Sequence, residues 1–276
     1  MKHSRSAAAP FGIWMTLFTV VPLGIVLWFA FTDKEGHFTL SNLSAILDYA
    51  STFGLSLGLG AIATILCLVL AYPLAYSISR SGERVQQTMV MIIMLPMWMN
   101  FLLRTYAWMT LLEDNGLINQ FFRLIGLLGP EDTIHMINTN GAVVLGMVYN
   151  FLPFMVLPLY SVMTKIDGRV IEAAQDLGSN GFQVLLRVVL PLSVPGILSG
   201  ITMVFVPAVS TFVITKLLGG SKVLLIGDVI ETMFIGQGAN YNVGAALSLV
   251  LMVLILLCMA MTSFAEKDDE EGGLVL

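Results

Sequence analysis

Charge is scarce in this 276-residue sequence: 11% of the residues are Asp, Glu, Lys or Arg, whereas 57% are hydrophobic and the mean hydropathy is +0.87. A typical soluble domain carries roughly 25% charged residues, so a water-soluble fold could not cover this much apolar surface. The apolar runs of about 20 residues match membrane-crossing helices, and they exceed the roughly 10-residue segments of barrel strands. The sequence therefore predicts an all-α integral membrane protein.

Cysteine, histidine and catalytic motifs are also scarce or missing. The two cysteines, Cys67 and Cys258, lie in apolar runs without metal or redox spacing, and the three histidines fall outside those runs. The sequence contains no Gly-x4-Gly-Lys-Ser/Thr phosphate loop, no His-Glu-x2-His and no Gly-x-Ser-x-Gly. We therefore expect no catalytic residue, no metal site and no cofactor in this chain, and an intramembrane enzyme ranks last among the possible functions.

Six apolar runs are long enough to cross a bilayer as helices. Their predicted bounds are Phe11–Phe31, Leu55–Ile78, Thr88–Leu111, Gly141–Met163, Leu192–Thr215 and Val243–Phe264. The chain is thus divided into an N-terminal segment 1–10, a six-span domain 11–264 and an acidic tail 265–276.

The distribution of Lys and Arg predicts the direction of these spans, because cytoplasmic loops carry an excess of both residues. With the N-terminus inside, eight of the 13 fall on the cytoplasmic side: Lys2, Arg5, Arg80, Arg84, Lys165, Arg169, Arg187 and Lys267. Both termini are therefore predicted to be cytoplasmic.

Two pairs of glycines and two apolar segments between the spans predict local features of the fold. Gly54-x3-Gly58 and Gly196-x3-Gly200 predict faces for close helix contact. On the outer side, segment 116–128 has helical periodicity and is predicted to lie along the membrane interface. Segment 222–231 is predicted to dip partly into the outer leaflet.

The segment between spans four and five, which we name loop 165–191, carries the most specific pattern. Asp167 can cap a first short helix, and Gly178 is placed to end it in a left-handed conformation. Ser179 or Asn180 can cap a second helix that ends before Pro191. One apolar stripe recurs every three to four residues: Ile166, Val170, Ala173, Ala174 and Leu177. Such a helix pair is shaped to dock into a groove of another protein.

The motif in this loop resembles the "EAA" loop of permease subunits from bacterial ABC importers. Glu172-Ala173-Ala174, Gly178 and Leu190-Pro191 match the family pattern EAA-x3-G-x9-I-x-LP, and only Val188 departs from it by replacing Ile. Further segments resemble the first (B-type) permease of the spermidine/putrescine branch: 95–108, 116–119, 152–161 and 218–230. The resemblance extends over nearly the whole chain.

This resemblance implies a six-helix type I importer permease in the bacterial cell membrane, with ATP and Mg bound by partner subunits. The implied partners are a second permease subunit, two ATP-binding subunits, an extracytoplasmic polyamine-binding protein and membrane lipids, with no role for nucleic acid. In that family the loop sits in a cleft of the ATP-binding subunit. The implied coupling residues are Glu172, Ala173, Ala174, Asp176, Gly178, Leu190 and Pro191. Among them Glu172 is the implied polar contact and Gly178 the corner, while the two alanines form the close-packing surface.

A polyamine presents ammonium groups joined by methylenes, so its path needs carboxylates and aromatic faces. The candidates are Trp98, Trp108, Asp114, Tyr149, Phe212, Asp228 and Glu231. Aromatic residues near span ends also serve as interfacial anchors, and loop carboxylates are commonly only solvated. Arg104, near the outer end of span three, is interpreted either as a structural residue that snorkels or as a gate.

Two alternatives to a polyamine importer stay open. The first is a permease of the same kind that carries another small solute. The second is an ion-coupled secondary transporter, a class that commonly has internal repeats and ionisable residues near the midplane. The sequence has neither feature.

Overall fold

The structure is a computed structural model that describes residues 10–129, 131–236 and 239–272, with side chains as far as residue 263. Helix accounts for 79% of the described residues, which contain no strand. This confirms the predicted all-α class. Residues 1–9 of the predicted N-terminal segment and residues 273–276 of the predicted tail lie outside the described ranges.

Eleven helices are numbered here in chain order. They are α1 (Pro10–Ala30), α2 (Ala50–Ser79), α3 (Glu83–Trp98), α4 (Phe101–Leu112), α5 (Leu117–Leu124), α6 (Asn140–Met163), α7 (Gly168–Asp176), α8 (Gly181–Leu192), α9 (Val194–Ser210), α10 (Ile226–Ile235) and α11 (Tyr241–Gly272). Short helical turns at Ser41–Ser44, Ala45–Tyr49 and Thr215–Gly219 complete the described chain. Helix α11 runs well into the predicted tail.

Four helical stretches are long and apolar enough to cross a membrane alone: α1, Ser41–Ser79, α6 and Tyr241–Ser263. The predicted span over Thr88–Leu111 is broken, and the predicted span over Leu192–Thr215 begins at a sharp bend after α8. Where one helix was predicted over Thr88–Leu111, α3 ends at Trp98 and a second helix begins at Phe101, with a bend of 88°. Helices α8 and α9 meet at 73°.

Each break has a local cause. Pro96 lies in the 3-10 turn that ends α3, and the side chain of Asn100 then caps α4 by accepting from the backbone N–H of Leu102 at 2.8 Å. At the second break Ser193 separates α8 from α9, and Pro195 in the first turn of α9 has no N–H to continue the preceding helix.

The core lies where α2, α6 and α9 pack against one another, around fully buried side chains such as Ala63, Met147 and Val204. Glycine permits the closest approach of α9 to α6. A Cβ on Gly196 would lie 3.1 Å from the carbonyl oxygen of Pro158, which confirms the predicted close contact. No heavy atom lies within 4 Å of a Cβ built on Gly54 or Gly58, so that part of the prediction is wrong for contacts within this chain.

Helix α1 is peripheral. It packs on α11. In an apolar stretch of 18 residues of α1 only 6% of the residues are buried, against 56% in the corresponding stretch of α6. The side chains of Asn42 and Asn242 hold its C-terminal end by donating to the carbonyl oxygen of Thr32 at 2.8 and 2.6 Å. These bonds satisfy backbone groups that a helix end leaves unpaired.

Candidate functional site

Loop 165–191 forms the two short helices α7 and α8 with the predicted caps. The side chain of Asp167 accepts from the backbone N–H of Arg169 at 3.0 Å and caps α7. Asn180 and Gln183 each accept from the other's backbone N–H at 2.9 Å, which is a capping box at the start of α8. Of the two predicted cap residues for α8, the structure therefore uses Asn180.

Gly178 makes the corner between these helices. Its φ is +88°, in the left-handed region that favours glycine. The N–H of Gly178 donates to the carbonyl of Gln175 at 2.8 Å, and that of Ser179 donates to the carbonyl of Ala174 at 3.1 Å. This pair of bonds is the Schellman motif, as the predicted helix stop requires.

Helix α7 has two apolar faces rather than the single predicted stripe. Its inner face is Ile171, which is buried, and Ala174, which is half-buried against the core. Its outer face contains Val170, Ala173 and Leu177, with Leu177 89% exposed. The stripe predicted from the sequence mixed the two faces and omitted Ile171, although the pair Ile171 and Ala174 has the spacing of three that marks a helix face.

The residues implied to couple to an ATP-binding subunit fall into two places. Glu172, Ala173 and Asp176 are exposed on α7 beside the Gly178 corner, whereas Ala174 turns toward the bundle. The other two, Leu190 and Pro191, stand in the last turn of α8, next to the 73° bend. The loop therefore presents an exposed surface on α7, and α8 joins that surface to α9. The sequence pattern alone did not mark Phe182, which is 69% exposed at the start of α8.

Two of the candidate pathway aromatics meet beside the N-terminal half of α6. The rings of Trp108 on α4 and Tyr149 on α6 lie edge to face with 5.3 Å between their centroids. This arrangement is favourable for aromatic pairs. Trp98 stands apart from this pair in the turn that ends α3, where it is 78% exposed.

A groove of about 420 Å³ between α9, α10 and α11 contains two further candidates, Phe212 and Glu231. Its other lining residues are mainly apolar, and they include Leu251 and Ile255 from α11. The carboxylate of Glu231 forms an ion pair with the ammonium group of Lys216, which follows α9. This groove thus combines a carboxylate, an aromatic face and an apolar wall.

Asp228 and Asp114, the remaining candidates, occupy other settings. Asp228 is only 2% exposed and accepts from the backbone N–H of Leu225 at 2.9 Å at the start of α10. Burial raises the pKa of its carboxyl group above the ordinary value. Asp114 is exposed beyond α4 and lies 2.9 Å from Nδ1 of His135. Neither residue lines the groove that contains Glu231.

Arg104 on α4 is a buried cation, 8% exposed, whose guanidinium lies 6.0 Å from the centroid of the Phe101 ring. Within the described ranges its Nε and Nη1 atoms have no hydrogen-bond partner. Over the same ranges no group of three or more His, Cys, Asp or Glu side chains is arranged to hold a metal ion.

A helical bundle with several apolar spans and an exposed helix-pair loop defines an integral membrane protein of the transport-permease class. Residues 10–266 match the family of binding-protein-dependent transport system inner membrane components, and the chain belongs to that family. This membership confirms the predicted membrane localisation and the predicted family.

Individual relatives agree with this assignment. The spermidine/putrescine transport system permease protein PotB of Haemophilus influenzae is 38% identical over 274 residues, which cover 96% of this chain and 95% of that protein. PotB of Escherichia coli is 35% identical over 250 residues, covering 88% and 90%. The inner membrane ABC transporter permease protein YdcU of Escherichia coli is 30% identical over 236 residues, covering 80% and 74%.

Solved structures share the fold. A chain of a bacterial ABC transporter that imports the acidic polysaccharide alginate superposes with a TM-score of 0.80 at 18% identity, covering 96% of this chain and 94% of that one. The type I permease fold implied by the EAA-like loop is therefore present, with α2, α6 and α9 at its centre.

Proposed function

We propose that this chain is one of two permease subunits of an ATP-driven polyamine importer in a bacterial inner membrane. Loop 165–191 is the observation that carries the proposal, because Val170, Leu177 and Phe182 are exposed there on capped helices joined by a fixed corner. Exposed apolar side chains on an ordered helix pair are a surface for another protein. The names of the PotB relatives indicate spermidine and putrescine as the solutes.

ATP hydrolysis belongs, in this proposal, to two partner subunits that bind ATP and Mg. The chain itself contains no phosphate-binding loop. Glu172 and Asp176 would provide polar contacts around the apolar surface of α7. The expected mechanism is alternating access, in which closure of the ATP-binding subunits moves loop 165–191 and the spans beside it.

Each bent helix pair is taken as one crossing, which makes six spans in total. This topology puts loop 165–191 on the same side as both termini, and the positive-inside rule assigns that side to the cytoplasm. An extracytoplasmic binding protein would then deliver the polyamine to the opposite end, which contains α5 and α10. Phe212 in the groove and the pair Trp108–Tyr149 offer the aromatic faces that an ammonium group needs, and the carboxylate of Glu231 would have to exchange Lys216 for the substrate's ammonium group.

Co-purification from membranes through a tag on this chain tests the proposal. We expect to recover a second permease and an ATP-binding subunit, and we expect spermidine with its binding protein to stimulate ATP hydrolysis by the reconstituted complex. Glu172→Lys should weaken ATPase association, because it reverses the charge beside the docking surface. Glu35→Lys is the matched control, since Glu35 is also exposed but lies at the other end of the bundle.

The outcomes separate the alternatives. If only another solute stimulates ATP hydrolysis, the chain is still an importer permease but polyamines are not its substrates. The same fold also occurs in an importer of alginate. Transport that survives loss of the ATP-binding subunit but stops when the ion gradient is collapsed would establish a secondary transporter instead.

A further inference from the structure

Helix α2 is hydrogen-bonded to both ends of loop 165–191. The loop leaves the bundle after Met163, the last residue of α6, and returns at Ser193, which separates α8 from α9. Two side chains near the C-terminal end of α2 reach these two points: Arg80 at the first and Tyr72 at the second.

Arg80 binds the departing end of the loop. Its Nη2 donates to the carbonyl oxygen of Met163 at 2.9 Å, and its Nη1 donates to that of Ile166 at 3.2 Å. The last carbonyls of a helix have no partner within the helix, and a cation is favourable beside them. The guanidinium also lies 5.8 Å from the centroid of the Tyr76 ring, one turn earlier on α2. Arg80 thus joins the end of α6 to the end of α2 by two directed bonds.

Tyr72 binds the returning end. Its hydroxyl lies 3.0 Å from Oγ of Ser193, and both residues are buried, at 8% and 0% exposure. Ser193 can also donate to the carbonyl oxygen of Leu190 at 3.1 Å. Either hydroxyl can donate in the bond between Tyr72 and Ser193. Ser193 stands at the 73° bend between α8 and α9, so this bond fixes the bend to α2.

A third set of hydrogen bonds connects α2, α3 and α6 at the same end of the bundle. Gln86 in α3 donates to the carbonyl oxygens of Ser81 and Ser79 at 2.8 and 3.2 Å, and it accepts from the hydroxyl of Tyr160 on α6 at 3.0 Å. The turn after α2 is thereby bound to α6 as well. The chain on both sides of loop 165–191 is thus hydrogen-bonded to α2 and to the residue that follows it.

We propose that Tyr72 and Arg80 are positioning residues that make loop 165–191 and α2 move as one body, so that a displacement imposed on the loop reaches the core. This inference rests on the proposed function, because it assumes that an ATP-binding subunit moves the loop. Helix α2 packs directly on α6 and α9, so a displacement of α2 also displaces those two helices. Helix α2 therefore takes part in transmitting the movement, together with the spans beside the loop.

The test uses the complete complex in proteoliposomes with spermidine, and it measures transport and ATP hydrolysis on the same preparation. Tyr72→Phe and Ser193→Ala each remove the hydroxyl bond and leave the packing nearly unchanged. One hydrogen bond of typical net strength shifts an equilibrium about fivefold, so each variant should lower the spermidine transported per ATP about fivefold. The double variant should lower it no further than Ser193→Ala alone, because Ser193→Ala already removes the bond to Tyr72 together with the bond to the carbonyl oxygen of Leu190.

Two comparisons separate positioning from general damage. Tyr49→Phe is the matched control, since Tyr49 directly precedes α2 and its hydroxyl has no hydrogen bond within the described ranges. It should leave transport per ATP unchanged. Arg80→Met should lower the ratio, and Arg80→Lys should restore part of it, because an ammonium group can still donate to one of the two carbonyls.

The wild-type complex is measured first. Wild-type protein that recruits no ATPase, or whose ATPase ignores every solute tested, overturns the proposed function itself. If the wild type couples transport to ATP but Tyr72→Phe and Ser193→Ala keep its ratio, only the positioning role is overturned. A variant that loses subunit assembly along with coupling also counts against that role, because a merely structural bond would behave in this way.

Discussion

Gly178 shows how one residue determines the shape of the docking loop. No heavy atom lies within 4 Å of a Cβ built on it, so a larger side chain would fit there. Glycine is required at this position because of its φ of +88°. A left-handed conformation costs an ordinary residue about 1–2 kcal/mol. Gly178→Ala should therefore weaken binding of the ATP-binding subunit to the permease pair by about 5–30-fold, as measured by titration of the purified subunits.

Gly181→Ala is the control for this prediction. Gly181 is also exposed in loop 165–191 and also has open space around a Cβ, but it begins α8 with no positive φ. The control should bind as the wild type does. Gly178→Asn should be intermediate, because asparagine tolerates the left-handed region better than alanine. Equal binding by Gly178→Ala and Gly181→Ala would show that the corner does not matter for docking.

The sequence could predict residues whose role is local, and it missed those whose role depends on a distant partner. Asp167, Gly178 and Asn180 act on backbone groups within five residues of themselves, so the chemistry of caps and helix stops was enough to find them. Tyr72 and Ser193 are 121 positions apart in the chain. Only the packing of α2 against α9 brings them together.

At the scale of elements, hydropathy found where the apolar segments lie but not where they break. A helix was predicted over Thr88–Leu111, yet the chain bends by 88° between α3 and the helical stretch Phe101–Leu124. A sliding average cannot detect this break, since residues on both sides of it are apolar. Pro96 and Asn100 were the available signals, a helix breaker followed by a side chain suited to an N-cap.

The start of α10 depends on a close backbone contact. A Cβ on Gly227 would lie 2.6 Å from the carbonyl oxygen of Thr211 and 2.7 Å from that of Ser210, at the end of α9. Gly227→Ala should therefore push α10 away from α9 and cost about 1–3 kcal/mol, the usual range for overpacking. The measurement is the thermal unfolding midpoint of the purified complex.

Gly141→Ala is matched to that change, because Gly141 is also the second residue of a helix at the same end of the bundle. The nearest atom to its added Cβ is Oγ1 of Thr139 at 3.7 Å, an ordinary contact. This variant should be neutral or slightly more stable, since alanine loses less backbone entropy than glycine in a helix. Two equal midpoints would contradict the close packing of α10 on α9.

Across the whole molecule, many large apolar side chains stay exposed on the isolated chain. In α1 large side chains such as Phe11, Ile13 and Phe18 are each at least 60% exposed. Such a surface requires lipid or another protein around it. The composition alone indicated this, because a chain with 11% charged residues cannot cover itself with polar groups.

The side of the membrane on which loop 165–191 lies distinguishes two of the topologies that the helices allow: both bent pairs cross the membrane, or neither does. If each bent pair crosses, there are six spans, and loop 165–191 shares the cytoplasmic side with the N-terminus. If neither pair crosses, the four remaining spans put loop 165–191 outside and α5 inside, where the docking surface would face no ATP-binding subunit. We expect the first arrangement, because the second would also place Lys165, Arg169 and Arg187 outside.

Single cysteines tested with a membrane-impermeant maleimide on intact cells distinguish these topologies. Cys67 and Cys258 are first replaced by Ala to give a background without thiols. In the six-span arrangement Gln120→Cys on α5 is labelled and Arg169→Cys on α7 is protected until the cells are opened, and four spans predict the reverse. Lys222→Cys should be labelled in either case, because both topologies put the segment before α10 outside. Labelling of Arg169→Cys in intact cells would remove the ATPase docking surface from the cytoplasm and with it the proposed coupling.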